Sequence, residues 1–334
     1  MSLNSPYLRK PTSVTRVMAE VLLALVPAIA VYAWFFGVGI LVQIALATAT
    51  AIAFEAGFLK LRGRPIGRSL ADLSAIVTAW LIALAFPSIG PWWLVVAGTA
   101  FAIVVAKHLY GGLGQNPFNP AMVAYAVMIV AFPALMSQWP GAGRLDAAAQ
   151  LDLIFGGARA VDAVTAATPL DSLRTGLRAE GSSVNALLQG DGFGLFAGRG
   201  WEWIAVAFLI GGLYLLARRI ITWHIPVAYL GSLAALETIA SIAAPQSYPG
   251  PVFSLFSGAA MIGAFFILTD PVSGATTPRG KLIYAAGAAL MTWIIRHFGS
   301  FPDGVAFATL LMNLCVPLID MKTQPPVFGH KTKN

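Results

Sequence analysis

Charge is scarce in this sequence: Lys, Arg, Asp and Glu make up 10% of its 334 residues, against about 25% in an ordinary soluble domain. A surface so poor in charge cannot be held in water, so lipid must be the solvent for most of the outside. Cysteine is nearly absent too, with Cys315 alone in an apolar run. Thiolate-held iron–sulfur clusters take about four cysteines and structural zinc several Cys or His ligands, so the chain supplies neither by itself. Cys315 therefore reads as a small buried hydrophobe. Also missing is any dense Lys/Arg tract interleaved with aromatics; the formal charge of +7 is scattered between apolar runs, which argues against nucleic-acid binding. No small-residue cleavage site follows the first apolar run, which reads as a retained helix and not as a signal peptide.

Long hydrophobic runs are what the sequence has in quantity, with 58% hydrophobic residues and a mean hydropathy of +0.77. A spanning helix takes about 20 apolar residues. Candidates fall at 18–36, 39–59, 70–87, 91–109, 120–137, 203–217, 224–243, 252–269, 282–298 and 304–321. The expected fold is an all-α integral membrane protein of about ten transmembrane helices. Trp92, Trp93, Trp201, Trp203 and Trp293 sit near span ends, as an aromatic belt would. The chain divides into an N-terminus (1–17), five helices (18–137), a long polar segment (138–202), five more helices (203–321) and a C-terminus (322–334).

Short loops on the cytoplasmic side of a membrane carry the excess of Lys and Arg. With a cytoplasmic N-terminus, fifteen basic residues from Arg9 to Lys333 fall inside and Arg296 alone outside. Another five, Arg144, Arg159, Arg174, Arg178 and Arg199, lie in the long segment, to which the rule does not apply. Both termini are thus expected inside and residues 138–202 outside.

A repeat is also expected. Residues 104–111, Val-Val-Ala-Lys-His-Leu-Tyr-Gly, end the fourth span, and residues 293–299, Trp-Ile-Ile-Arg-His-Phe-Gly, end the ninth. Lys107-His108 and Arg296-His297 then match at an offset of 189 residues, near the roughly 185 that separates spans one and six. A five-span unit inserts its second copy upside down, in accord with Lys107 inside and Arg296 outside. Such an inverted 5+5 repeat puts binding sites near the midplane where the halves join. Chance likeness between apolar helices ending in a basic residue is the alternative.

The richest chemistry lies at residues 162–174, Asp-Ala-Val-Thr-Ala-Ala-Thr-Pro-Leu-Asp-Ser-Leu-Arg. Small neighbours leave the Thr168 hydroxyl approachable by a large group, and Pro169 disfavours helix at Thr168. The plainer reading is a helix cap: Thr168, then Pro169 at the first helical position, with Asp171 in the opening turn.

Asp162-x-x-Thr165-x-Ala167-Thr168-Pro169 resembles the flavin-attachment motif of the RnfD/NqrB family, in which the last threonine is esterified by FMN through its phosphate. Two further stretches resemble the same family. They are Asn116-Pro117-Phe118-Asn119-Pro120-Ala121 before the fifth span and residues 269–281, Thr-Asp-Pro-Val-Ser-Gly-Ala-Thr-Thr-Pro-Arg-Gly-Lys, after the eighth. The resemblance covers essentially the whole chain. It implies Thr168 as the FMN site, Asp162 as the residue that helps present it to the transferase, Thr165 as motif context, and Ala166 and Ala167 as small residues that keep the approach clear. Ala166 stands where the motif often has glycine. Residues 273–276, Ser-Gly-Ala-Thr, spell the attachment sequence more literally and make Thr276 the rival. The family's flavin transferase is extracytoplasmic, however, and the charge distribution puts Thr276 inside and Thr168 outside.

Ionisable residues within a membrane are functional candidates by default. Glu237 falls mid-span, where it could bind a cation, relay a proton, hydrogen-bond a cofactor or simply pair with hydroxyls. Glu20, Glu55, Asp72 and Asp320 lie near helix ends and are read as reaching the interface, without a mechanism. His108 and His297 are weak metal candidates.

The resemblance implies the D subunit of an Rnf-type ferredoxin:NAD+ oxidoreductase coupled to ion transport, in the bacterial cytoplasmic membrane. Its partners would be the other Rnf subunits, the flavin transferase and lipid; a second, non-covalent flavin such as riboflavin fits the same picture. The B subunit of a sodium-pumping NADH:quinone reductase is an alternative, disfavoured because about 17 residues precede the first span where that subunit usually has a longer extension. A solute channel or transporter with inverted repeats is the other.

Overall fold

The computed structural model describes residues 13–143, 145–156, 164–179 and 182–324, and within them every side chain but that of Arg68. Helices follow in the order α1 (Val14–Phe36), α2 (Gly39–Leu61), α3 (Ile66–Leu70), α4 (Ser74–Ala85), α5 (Trp92–Phe101), α6 (Pro120–Ala131), α7 (Pro133–Met136), α8 (Ala147–Phe155), α9 (Pro169–Gly176), α10 (Val184–Leu187), α11 (Trp201–Ala217), α12 (His224–Ala243), α13 (Pro251–Phe256), α14 (Ala260–Ile262), α15 (Pro278–Phe298) and α16 (Val305–Thr323). Two of them run on as π-helix, α5 through Ala102–His108 and α14 through Gly263–Ile267. Strands β1 (Trp139–Pro140) and β2 (Thr165–Ala166) form one short antiparallel pair.

Helices α1, α2, α12 and α16 are each long and apolar enough to cross a bilayer, and α4, α5 with its π-helical extension, α6 and α11 are shorter apolar helices. This is an all-α integral membrane protein. Backbone polar groups have no partner in hydrocarbon, so helix is the form an apolar run must take there. Side chains that point away from the bundle are themselves apolar, among them Trp34, Val130, Ile242 and Leu314. Cys315 is exposed on the same face of α16 as Leu311, Leu314 and Leu318. The expectation of a protein-buried thiol is therefore corrected: in a membrane helix the apolar environment of such a residue is lipid.

Three of the apolar runs are broken: 120–137 at Phe132, between α6 and α7, and two others at left-handed residues. Helix α4 starts only after Leu73, whose φ of +63° is left-handed, and α13 and α14 are parted by Ser257 and Gly258, the latter at φ +60°. Helix α1 packs on α11, α6 on α16, α2 on α4 and α5, and α12 on α15. The first of these contacts is close because α11 carries Gly211, where a Cβ would meet the Ala24 carbonyl, while Gly212 beside it makes room for the Phe265 ring of the α14 extension. Small residues that let helix backbones approach are the usual means of association in lipid.

The long segment is folded onto one end of the bundle. Gln150 of α8 is fully buried; its Oε1 accepts from Gly39 N at 2.7 Å, and its Nε2 donates to the carbonyls of Phe36 and Leu145, each at 3.1 Å. It thereby satisfies backbone groups that the α1–α2 turn leaves open. Glu202 accepts from the amides of Leu195, Phe196 and Ala197. Around Leu173, Val184, Ala197 and Phe253 a small separate core forms.

Candidate functional site

Thr168 is extended (φ −64°, ψ 158°) and caps α9, its side chain accepting from Asp171 N at 3.3 Å with Pro169 at the first helical position. The plain reading of this threonine is thus realised. It does not compete with the other, because the half-buried Thr168 also stands at the wall of a cavity. Strand β2 leads into it, with Ala166 opposite Trp139 and Thr165 opposite Pro140. Ala167 is exposed and Thr165 and Ala166 are half-buried, so among the described motif residues no bulky side chain crowds Thr168. Asp162 lies outside the described residues.

The cavity has a volume of about 130 Å³ and is walled by Tyr32, Tyr125, Trp139, Trp201 and Phe208, with Asp303 as its charged member. Trp201 ties the wall together: it meets Trp139 edge-on at 5.4 Å, Tyr32 at 5.7 Å and Phe36 at 4.6 Å. Residues of α4, α6, α11, α14 and α16 contribute, so it lies between the first and second groups of helices. Flat aromatic walls suit a flat ring system, and the positive end of the α9 dipole lies beside Thr168 at the rim. Whole cofactor pockets run to about 300–1,000 Å³. The slot is smaller than that, and Thr168 stands at its rim.

Gly258 holds the floor of this region. A Cβ there would meet Asp303 Oδ2 and Leu170 Cδ1, and Asp303 Oδ2 accepts from Ala259 N at 2.6 Å. Gly258→Ala adds a left-handed strain to a clash, and sites of that kind cost about 1–3 kcal/mol. A loss of that order is expected in thermal or urea unfolding of the detergent-solubilised chain.

Thr276 lies at the other end of the molecule. Its hydroxyl donates to Asp320 Oδ2 at 2.8 Å and its amide to Asp320 Oδ1 at 3.0 Å. It sits just before the N-terminus of α15, whereas Arg174 of α9 donates to the carbonyl of Gly299 just beyond the C-terminus of α15. A helix of 21 residues spans roughly 30 Å at 1.5 Å per residue. The two threonines are on opposite faces.

The two other resembling stretches come together. Asn119 N donates to Asn313 Oδ1 at 3.1 Å, and Asn313 Nδ2 donates to the Ser273 carbonyl and to Tyr284 Oη, each at 2.9 Å. A second cavity of about 130 Å³ opens between these loops, lined by Asn116, Asn119, Thr269, Asp270, Ser74 and Lys107. The cavities are neighbours along the bundle: Leu84, Met122 and Ile267 line the first, and Leu81, Pro120 and Phe266 the second.

Two buried ionic clusters complete the chemistry. In one, Lys107 Nζ donates to both oxygens of Glu55 and to Ser74 Oγ, all at 2.9 Å, and His108 Nε2 stands 3.1 Å from Glu55 Oε2. In the other, His297 Nε2 lies 2.8 Å from Glu237 Oε1, which also accepts from Ser254 Oγ at 2.9 Å. Arg296 Nη1 reaches Ser254 Oγ at 3.2 Å. Each joins a carboxylate, a Lys-His or Arg-His pair, and a serine of a broken helix. Reading Glu55 as an interfacial residue is corrected here, since it is 3% exposed. The signal was available: Ala53-Phe54-Glu55 precedes Lys107 much as Ala235-Leu236-Glu237 precedes Arg296, but short apolar words around a glutamate are too common to align unaided.

Apolar helices, two of them broken beside cavities and others carrying paired buried charges, define a multi-pass membrane protein. Residues 1–329 match the model of the NQR2, RnfD, RnfE family. The D subunit of the ion-translocating oxidoreductase complex of Vibrio cholerae (strain O395) is 49% identical, over 98% of both chains. Proteins of the same name from Escherichia fergusonii and Klebsiella pneumoniae are 48% and 49% identical, again over 98% of both. The chain belongs to the NQR2, RnfD, RnfE family.

Proposed function

We propose that this chain is the D subunit of an Rnf-type, ion-translocating ferredoxin:NAD+ oxidoreductase, and that it carries FMN through a phosphoester to Thr168. Near-full-length identity to relatives that bear the D-subunit name supports the first part. The flavin reading is carried by one observation, a hydroxyl with small neighbours at the rim of an aromatic cavity between the halves. When bound, the flavin supplies one-electron redox chemistry. The chain's own part is to tether at Thr168 Oγ1, to receive the phosphate at the start of α9, and to exclude water with Tyr32, Trp139 and Trp201. A non-covalent flavin such as riboflavin is assigned to the loops around Asn116, Asn119 and Asp270, with part of its ring in the second cavity.

Ten spans in an inverted 5+5 arrangement belong to the same reading. In its favour, the first helices of the two halves (α1 and α11) pair with each other, as do the last (α6 and α16), and the two ionic clusters match in composition. Both termini are taken as cytoplasmic and residues 138–202 as extracytoplasmic, in the bacterial inner membrane, within reach of a flavin transferase and beside the other Rnf subunits. Glu237 is assigned to an ion or proton path.

Denaturing electrophoresis under ultraviolet light tests the flavin. The chain made together with the transferase is expected to give a fluorescent band; a dark band would leave the transporter reading in its place. Thr276→Val is expected to keep full fluorescence, because its hydroxyl serves Asp320 on the opposite face.

A further inference from the structure

We infer that Glu237 and His297 form a proton-binding pair that exchanges with the face bearing residues 138–202. Glu237 is 1% exposed in α12. Its Oε1 is engaged by Ser254 Oγ and His297 Nε2, while its Oε2 is buried with no hydrogen-bond partner among the described residues. A buried carboxylate oxygen without a donor is costly, and a proton on the carboxyl group removes the charge that makes it so.

The pair has a way to water. His297 is 17% exposed and borders a cavity of about 790 Å³ that Glu237 also lines, together with Arg174, Arg178, Gln246, Tyr248 and Ser300. Arg174 and Arg178 belong to the segment that follows Thr168, which fixes the face onto which this cavity opens. A hydronium ion in the cavity gives its proton to an imidazole nitrogen of His297 and leaves as water, and His297 Nε2 passes a proton to Glu237 Oε1, 2.8 Å away. The pair then changes from net charge −1 to 0, and no other bond forms or breaks.

The opposite cluster differs in how its carboxylate is answered. Glu55 has the Lys107 ammonium on both oxygens, so a fixed cation answers its charge. Beside Glu237 the corresponding cation is turned away: Arg296 pairs with Asp303 Oδ1 at 3.1 Å and donates to the carbonyls of Ser254 and Ser257. The charged and titratable groups around Glu237 are therefore His297 and Arg296 from α15, Asp303 beyond Arg296, Tyr248 against His297 at 4.9 Å, and Arg174 and Arg178 across the cavity. A metal cation is a poor occupant of this place. Hard cations gather about six oxygen ligands, whereas here one carboxylate oxygen is free and three guanidinium groups, those of Arg174, Arg178 and Arg296, line the cavity.

Sidedness and purpose rest on the reading of this chain as a charge-moving subunit; the pair itself does not. Infrared difference spectra of the full chain in oriented vesicles test it, with pH lowered from about 9 to 5 to bracket imidazole titration. A protonated-carboxyl band is expected to grow when the pH is lowered on the side of residues 138–202. It is expected to vanish in Glu237→Gln and to persist with a shifted midpoint in Glu237→Asp, which also guards against a variant that fails to fold. A band that survives Glu237→Gln, one that answers only to the opposite side, or no titrating band in the wild type would overturn the inference. A titrating band in a protein dark under ultraviolet light would retain the pair and sink the flavin proposal; a fluorescent protein without the band would do the reverse.

Discussion

Thr168→Val is expected to abolish covalent flavin fluorescence completely while leaving the helical bundle intact. The ester needs Oγ1, and valine supplies a methyl in its place, so the loss is all or nothing. Stability responds far less. Thr168 Oγ1 accepts a single long bond, 3.3 Å from Asp171 N, and losing an N-cap costs about 0.5–2 kcal/mol. Pro169 still fixes the chain direction, and its close approach to the backbone of Gly198 still docks α9. Thr168→Ser separates the two roles, since it keeps both hydroxyl and cap and should retain a fluorescent band. In-gel fluorescence read beside an unfolding curve decides the matter. A Thr168→Val protein that stays bright would place the flavin elsewhere.

Much of this was legible in the sequence because lipid imposes a simple rule. An apolar run must close its own backbone hydrogen bonds, so the runs at 18–36 and 39–59 announced α1 and α2 to within a few residues. Where the rule has an exception the sequence was silent. The runs at 70–87 and 252–269 are broken, and nothing in their composition signals that Leu73 and Gly258 turn left-handed there. Irregular backbone at such depth is tolerated only where protein or a cavity surrounds it, and burial is a property of the neighbours. Thr168 shows a different limit. Residue type and Pro169 revealed the cap, but the aromatic wall beside it comes from Tyr32, Trp139 and Trp201, which no local pattern connects. Glu55 was misread for the same reason: its distance from a helix end says nothing of Lys107, 52 positions away in sequence.

Lys107→Met should be the most destabilising of the substitutions considered. Removing one partner of a buried ion pair costs about 3–5 kcal/mol, because the other charge stays buried and unanswered. Glu55 and Lys107 fit that case, each about 3% exposed at the side chain and 2.9 Å apart. Combining Lys107→Met with Glu55→Gln removes both charges and should recover most of the loss, as replacing a whole buried pair often does. If the double variant were as unstable as the single one, packing around the lysine stem and not charge would be responsible. The single variant should also acquire a new pH dependence at this site. With the ammonium gone, Glu55 keeps only His108 at 3.1 Å, the arrangement that Glu237 and His297 have at the other end of the bundle. A proton taken up by that pair supplies the missing positive charge, so Lys107→Met should lose less stability at low pH than at high pH. Unfolding curves at several pH values would show whether one lysine is what separates a locked carboxylate from a titrating one.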